Sequence, residues 1–210
     1  MMNDISRGDE QTVHIVDDED AVRDSLVWLL ESHGHRVQAY ASAESFLQQV
    51  DTVQCGCLVT DVRMGGMSGL ELHERLAQAG ISLPTIIITG HGDVPMAIAA
   101  FRNGVVDFVE KPLDDVYLLD RIAECLRRDR QTRQQRVFRQ SVSRRLATLT
   151  RREREVLECV IAGKLNKQIA VMLGINIKTV EVHRSRVMEK LQVANITELI
   201  GLGLSVSAPD

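Results

Sequence analysis

The sequence predicts two domains of different class: an α/β domain on a doubly wound, five-stranded parallel sheet, followed by an all-α domain of four helices. Three observations carry this. Short β-branched runs alternate with amphipathic stretches through the first part of the chain, and only helical periodicity follows residue 149. The charge divides in the same way: residues 1–124 hold 21 acidic and 8 basic side chains, a net of −13, and residues 125–210 hold 8 acidic and 17 basic, a net of +9. Acidic residues also recur where strand runs end. A length of 210 residues allows two small domains, and with only 3% aromatics the cores must be built from Val, Ile, Leu, Met and Ala.

Taken in order, TVHIV (12–16) is a buried strand, followed by a helix over about 20–33 with Val22, Leu26, Leu29 and Leu30 inward. RVQAY (36–40) alternates and reads as a more exposed strand; 43–50 is a short helix and CLVTD (57–61) the next strand. Gly65, Gly66 and Gly69 break the chain before a helix over about 70–79. PTIIIT (84–89) is the most apolar strand, then come a helix over about 94–103, the strand VVDFV (105–109) and a helix from about residue 114. Five strands alternating with five helices indicate helices on both faces of a parallel sheet joined by right-handed crossovers.

Such sheets bind ligands outside the carboxyl ends of their strands. Here those ends carry Asp17 and Asp18, then Asp61, then Thr89, with Lys111-Pro112 after the fifth strand. Three carboxylates gathered at one edge repel one another, so a bound hard cation is the natural counter-charge, and few protein oxygens with room for water and phosphate suit Mg²⁺ better than Ca²⁺. A single strand-end Asp is explained as well by helix capping; five such positions together are not.

The segments VDDED, TDVRMGGMSG, ITGHGD and DFVEKP resemble the CheY-like receiver domain of two-component response regulators of the FixJ/NarL type. The resemblance implies that Asp61 accepts a phosphoryl group from a sensor histidine kinase, and that Asp17, Asp18, Asp61 and the backbone carbonyl of Arg63 hold Mg²⁺. It implies also that Lys111 and Thr89 stabilise the phosphoryl oxygens, that the Lys111–Pro112 peptide is cis, and that Thr89 and Phe108 form a switch pair; plain core packing is the alternative for Phe108. The pairing face of a phosphorylated dimer would run over about 94–109. One residue departs from the pattern: Gly65 stands where the family usually has proline, in Met64-Gly65-Gly66-Met67. A more mobile loop beside Asp61 and an altered phosphoryl lifetime are expected from it.

Residues 126–147 are rich in Arg and Gln, and Leu118, Leu119, Ile122, Leu126 and Val137 suggest that the last receiver helix extends into them. The arginines could add attraction for phosphate, although a solvated charged helix explains them too. From Leu149 the signals are those of capped helices. Thr150 with Glu153 forms an N-terminal capping box and Gly163 follows the end; a second short helix starts at Asn166 and closes at Gly174; Asn176 caps IKTVEVHRSRVMEKL, with Val180, Val187 and Leu191 inward. A last helix is expected over about 196–204. Two helices separated by Gly174-Ile175-Asn176 form a helix-turn-helix, whose second helix enters the major groove.

LTRREREVL, GKLNKQIAVMLGI and KTVEVHRSRVMEKL resemble the LuxR/NarL-type four-helix DNA-binding domain. On the recognition face lie Lys178, Thr179, Glu181, Val182, Ser185 and Arg186. Glu181 and Val182 are candidates to read bases, since a carboxylate accepts from cytosine and an aliphatic group touches thymine. Lys167, Lys178, His183, Arg186 and Lys190 read as phosphate contacts, which orient without specifying, with a packing role as the alternative for His183. The resemblance implies that the final helix, through Ile196, Leu199 and Ile200, supplies the dimer contact on DNA.

The expected domains are therefore a receiver over 10–125, a linker over 126–147 and a DNA-binding domain over 148–208. Four cysteines (Cys55, Cys57, Cys125, Cys159) lack the spacing of a zinc site or a disulfide framework. With neither a signal core nor an apolar run of membrane length, a cytoplasmic protein with no membrane partner is expected. The expected function is a phosphorylation-dependent transcriptional regulator, an activator, not an enzyme, with promoter DNA in two half-sites, a second copy of the chain and RNA polymerase as partners. Two alternatives stand beside it: a regulator acting without phosphorylation, and an aspartyl phosphohydrolase. The second lacks a general acid, because Arg63 occupies the position two residues after the nucleophile.

Overall fold

The computed structural model describes residues 11–49, 55–90, 98, 100–195 and 198–199. The chain divides into two compact units, Met1–Thr132 and Arg133–Asp210.

The first unit holds a five-stranded sheet in the order β2-β1-β3-β4-β5. Its strands are β1 (Thr12–Val16), β2 (Arg36–Tyr40), β3 (Gly56–Asp61), β4 (Thr85–Thr89) and β5 (Asp107–Glu110), and every neighbouring pair is parallel. Between them run α1 (Asp20–Ser32), α2 (Ala43–Gln49) and α3 (Gly69–Gln78), and α4 (Asp115–Ala147) follows β5. Of the helix expected over 94–103, residues 98 and 100–102 are helical and Asn103 is in a turn; 94–97 and 99 lie outside the described residues. On one sheet face Val13, Ile15, Cys57, Val59, Ile86 and Ile88 pack against Leu26, Leu29 and Leu30 of α1 and Leu118, Ile122 and Cys125 of α4. On the other, Val16 and Leu58 meet Phe46, Leu72 and Leu76. The period-2 alternation of each strand thus feeds two cores, one on either side of the sheet.

α4 stays on this unit past residue 125, where the sequence suggested that the receiver ends. Asp129 is only 2% exposed, and a carboxylate at that depth must be hydrogen-bonded. It accepts from the Gly56 N–H at 3.0 Å and from Gln11 Nε2 at 2.8 Å, while Gln11 Nε2 also donates to the Leu126 carbonyl. These bonds fix the helix to the start of β3 one turn beyond the expected boundary.

The second unit packs α5 (Arg151–Ile161), α6 (Asn166–Leu173), α7 (Ile177–Leu191) and the end of α4 around Leu149, Val156, Leu157, Ile169, Val180, Val187 and Leu191. Thr150 caps α5 by accepting from the Glu153 N–H, and the Glu153 carboxylate accepts in return from the Thr150 N–H at 2.8 Å. Gly174 ends α6 with φ +65°, a left-handed conformation that glycine adopts without Cβ strain. Asn176 then accepts from the Thr179 N–H at 2.7 Å and starts α7.

Glu153 also joins two helices. Its carboxylate, 2% exposed, accepts from Lys190 Nζ of α7 at 2.6 Å, and the same ammonium donates to the Thr148 carbonyl at 3.2 Å. The Lys190 hydrogen bond and the Thr150 N–H hold the Glu153 carboxyl down at about 2. Leu199, expected at a dimer contact, is 3% exposed and belongs to the core of its own unit. It lies among Val156, Leu157 and Val160 of α5 and Val187 of α7. Ile196 and Ile200 lie outside the described residues.

His14, in the middle of β1, is 1% exposed and neither ring nitrogen has a hydrogen-bond partner. Its neighbours are the rings of Tyr40 and Phe46, with centroids 6.1 and 5.5 Å away, and burial pushes its pKa down from 6.5 to about 4. The unfolded chain therefore takes up a proton that the folded one refuses. Stability on this account is constant above pH 6.5 and falls as the pH drops from 6.5 towards 4. His14→Leu is expected to raise stability at pH 7.5 by about 1 kcal/mol and to abolish a loss of about 2 kcal/mol between pH 7.5 and 5, read by urea unfolding. Glu153 gives the opposite case: its contribution is present above pH 4.5 and disappears as the pH falls towards about 2. Glu153→Gln should cost the second unit about 2 kcal/mol at pH 7 and flatten that acid limb, measured by hydrogen exchange of the α5 and α7 amides.

Candidate functional site

Strand register assembles the site. Val16 pairs with Thr60 and Asp61 with Ile88, so Asp17, Asp61 and Thr89 stand side by side at the carboxyl edge of β1, β3 and β4. Thr89 pairs with Glu110, and the Lys111 N–H donates to the Thr89 carbonyl at 2.8 Å, which brings Lys111 to the same edge. The Lys111–Pro112 peptide is cis. Gly69, at the start of α3, lets that helix press against the end of β3: a Cβ there would lie 2.3 Å from the Asp61 carbonyl oxygen.

The Lys111 ammonium bridges two carboxylates. It donates to Asp61 Oδ2 at 2.6 Å and to Asp17 Oδ2 at 3.4 Å. Burial works against the charged lysine, but the Asp61 hydrogen bond and the Asp17 charge outweigh it and hold the pKa above the ordinary value. Asp17 is 1% exposed, and burial raises its pKa although the Glu19 N–H and Lys111 pull it back. Asp61 accepts through its other oxygen from the Arg63 N–H at 2.8 Å. Thr89 is buried beside them, and Phe108 is half-buried, packed against the cluster of Val62, Ile87, Ala100 and Val105.

Asp18 is exposed, and its Oδ2 accepts from the Gly65 N–H at 2.8 Å. Two residues further, the Met67 N–H donates to Glu44 Oε1 at 3.0 Å. Where the family's proline would stiffen the turn, glycine keeps an N–H that is bonded to Asp18. Among the described residues no three carboxylate, imidazole or thiolate groups stand close enough to hold a metal ion by themselves. The donor set nevertheless suits Mg²⁺, which binds through one or two carboxylates and keeps several waters.

In the second unit, α7 presents Lys178, Glu181, Val182, Ser185 and Arg186 to solvent, and Lys167 of α6 is exposed beside the turn. At about 100° per residue these α7 positions share one arc of the helix. Thr179, His183 and Lys190 fall on its edge, towards α5. Thr179 is half-buried, its hydroxyl donating to Asn176 Oδ1 at 2.9 Å. His183 is half-buried with Nδ1 enclosed and without a hydrogen-bond partner. Lys190, expected at a phosphate, is committed to Glu153 and Thr148 inside the unit. Sequence reasoning missed Arg184, which donates to Asn166 Oδ1 and ties α7 to the start of α6.

Comparison with known proteins agrees with both units. Residues 13–123 match the response regulator receiver domain, and residues 147–202 match the bacterial regulatory proteins of the luxR family. The transcriptional regulatory protein FixJ of Azorhizobium caulinodans is 46% identical over 192 residues, covering 91% of each chain. The C4-dicarboxylate transport transcriptional regulatory protein DctR of Rhodobacter capsulatus is 43% identical over 190 residues, 90% of this chain and 96% of that one. The solved structure of the response regulator StyR superposes with a TM-score of 0.85 at 41% identity, over 93% of this chain and 98% of that one. A receiver edge with its lysine-bridged carboxylates and a helix-turn-helix in one chain, matched along nearly its whole length, make this protein a two-component transcriptional regulator, a member of the FixJ/NarL-type response regulators with a LuxR-type DNA-binding domain.

Proposed function

We propose that this regulator is switched by phosphorylation of Asp61, and that the phosphorylated chain binds promoter DNA as a dimer and activates transcription. The observation that carries the reading is the Lys111 ammonium shared by Asp61 and Asp17 at the sheet edge. A sensor histidine kinase would supply the phosphoryl group. Asp17, Asp18, Asp61 and the Arg63 carbonyl would hold Mg²⁺, whose chemistry at this position is neutralisation of phosphoryl charge. Lys111 is already hydrogen-bonded to the Asp61 oxygen that faces it, so it needs little movement to pair with a phosphoryl oxygen on that carboxylate. The Thr89 hydroxyl serves a second oxygen. Phe108 adjoins the Val62–Ile87 cluster, and a shift of Thr89 would open room for its ring.

The domains of this reading are a receiver that ends at the Asp129 anchor, a helical linker up to residue 147 and a DNA-binding domain over 148–208. Glu181 and Val182 are proposed to read base edges, with Lys167, Lys178 and Arg186 on phosphates and Thr179 and His183 at the margin. Two copies would bind two half-sites and contact RNA polymerase, in the cytoplasm where the DNA lies. No helix of the described residues is long and apolar enough to cross a membrane.

Selection of bound DNA from a random pool, with acetyl phosphate and Mg²⁺ present, tests both halves of this reading. Phosphodonor is expected to tighten wild-type binding about ten-fold and to leave Asp61→Asn unchanged; an equal response of the two proteins would refute the switch. Lys167→Ala and Arg186→Ala should each weaken binding across all sequences and reduce the slope of log K against log salt by about 1. Unchanged affinity and slope in both variants would refute the DNA surface.

A further inference from the structure

We infer that Gly65 is a positioning residue for the cation site: its backbone N–H holds the Asp18 carboxylate in place, a bond available to this chain because it lacks the proline usual at that position. The inference rests on the proposed Mg²⁺ site.

The turn after β3 donates alternate N–H groups to three carboxylates from three segments. Arg63 donates to Asp61 Oδ1 at 2.8 Å, Gly65 to Asp18 Oδ2 at 2.8 Å, and Met67 to Glu44 Oε1 at 3.0 Å. The loop is read at every second residue, like the edge of a strand. Proline has no N–H and would delete the middle bond. Asp18 lies on the surface, where an unheld carboxylate samples several rotamers and must be ordered when it binds an ion. With Oδ2 on Gly65, the carboxylate is oriented in advance and Oδ1 can face a cation. Partners of this kind, hydrogen-bonded to a ligating carboxylate, typically set metal affinity by ten-fold or more.

What position 65 requires is the donor, not the absence of a side chain. Gly65 is not among the glycines with positive φ, and a Cβ there would meet Asp18 Oδ2 at 3.6 Å, an ordinary contact. Gly65→Ala keeps the N–H and Gly65→Pro removes it, so the two variants separate hydrogen bonding from the bare fact of substitution.

Isothermal titration of the full chain with Mg²⁺ alone, without phosphodonor, reads the effect. Gly65→Ala is expected to bind within about two-fold of wild type and Gly65→Pro about ten-fold more weakly. Equal affinity of Gly65→Pro and wild type, or an alanine variant as weak as the proline one, overturns the inference while leaving the Mg²⁺ site standing. A wild-type chain that binds no Mg²⁺ overturns the site and the inference together. If Gly65→Pro does not fold, the amide proton of Gly65 is the readout by NMR: it should move upfield in Asp18→Ala, and an unmoved resonance overturns the assignment.

Discussion

Two carboxylates at the carboxyl edge of the sheet, Asp17 and Asp61, are held against one another by a single ammonium, Lys111. Their side chains are 2% and 12% exposed and that of Lys111 is 23% exposed, so water screens the three charges poorly. Without the lysine, the two anions would repel in a medium that cannot dissipate the field. The requirement reaches far into the fold. Parallel register must set β1 beside β3 and β4 beside β5, and α3 must start on a glycine so that it can close over the end of β3. One ammonium facing two carboxylates leaves the edge net negative, with little tolerance for further negative charge at Asp61. Under the proposed phosphorylation, converting that carboxylate into a doubly charged acyl phosphate would alter the electrostatics of the whole edge, as a switch requires.

The strands and the groups at their ends were legible in the sequence because both signals are local. A run such as TIIIT marks a buried strand by its unbroken β-branched composition, and the sheet topology then decides that whatever follows the strand lies at the binding edge. Contacts between distant segments were not legible. Glu153 and Lys190 are 37 residues apart, and the capping box explained Glu153 fully before α7 was in place. The burial of Leu199 in its own unit was not legible for a related reason: an apolar stripe says that a surface will be covered and is silent about which copy of the chain covers it. His14 went unremarked because a buried strand reads the same whether its central residue is satisfied or not.

The same limit shaped the recognition helix. Periodicity separates the buried face, Val180, Val187 and Leu191, from the rest, but it gives the edge residues to neither side. Lys190 and His183 occupy one edge, seven residues apart, and α5 claims that edge by placing Glu153 against it. A lysine is favourable at a phosphate and equally favourable at a buried carboxylate. The partner that is always present within the unit wins, since it requires no encounter. The arc that remains, from Glu181 through Lys178 and Val182 to Arg186, is narrower than composition alone suggested. A narrower arc suits a helix that must enter a groove only about 12 Å wide.

Gly65 shows most directly how an identical change reads differently at two levels. At the level of residue type, replacing proline with glycine is a loss of stiffness. At the level of donors and acceptors it is a gain of one N–H, and the gain matters more here because each of three carboxylates takes one N–H of the turn. Proline restrains a loop through its own ring and transmits nothing. A hydrogen bond restrains the loop and its partner together, so the turn, Asp18 and the segment leading into α1 become one mechanical unit. Any displacement of Asp18 on ion binding is then felt by the residues that follow Asp61, and any displacement of the turn is felt by Asp18. Linkage makes the two effects equal in free energy. The departure from the family pattern thus falls between Asp18 of the proposed ion site and the loop beside Asp61, the proposed phosphoacceptor.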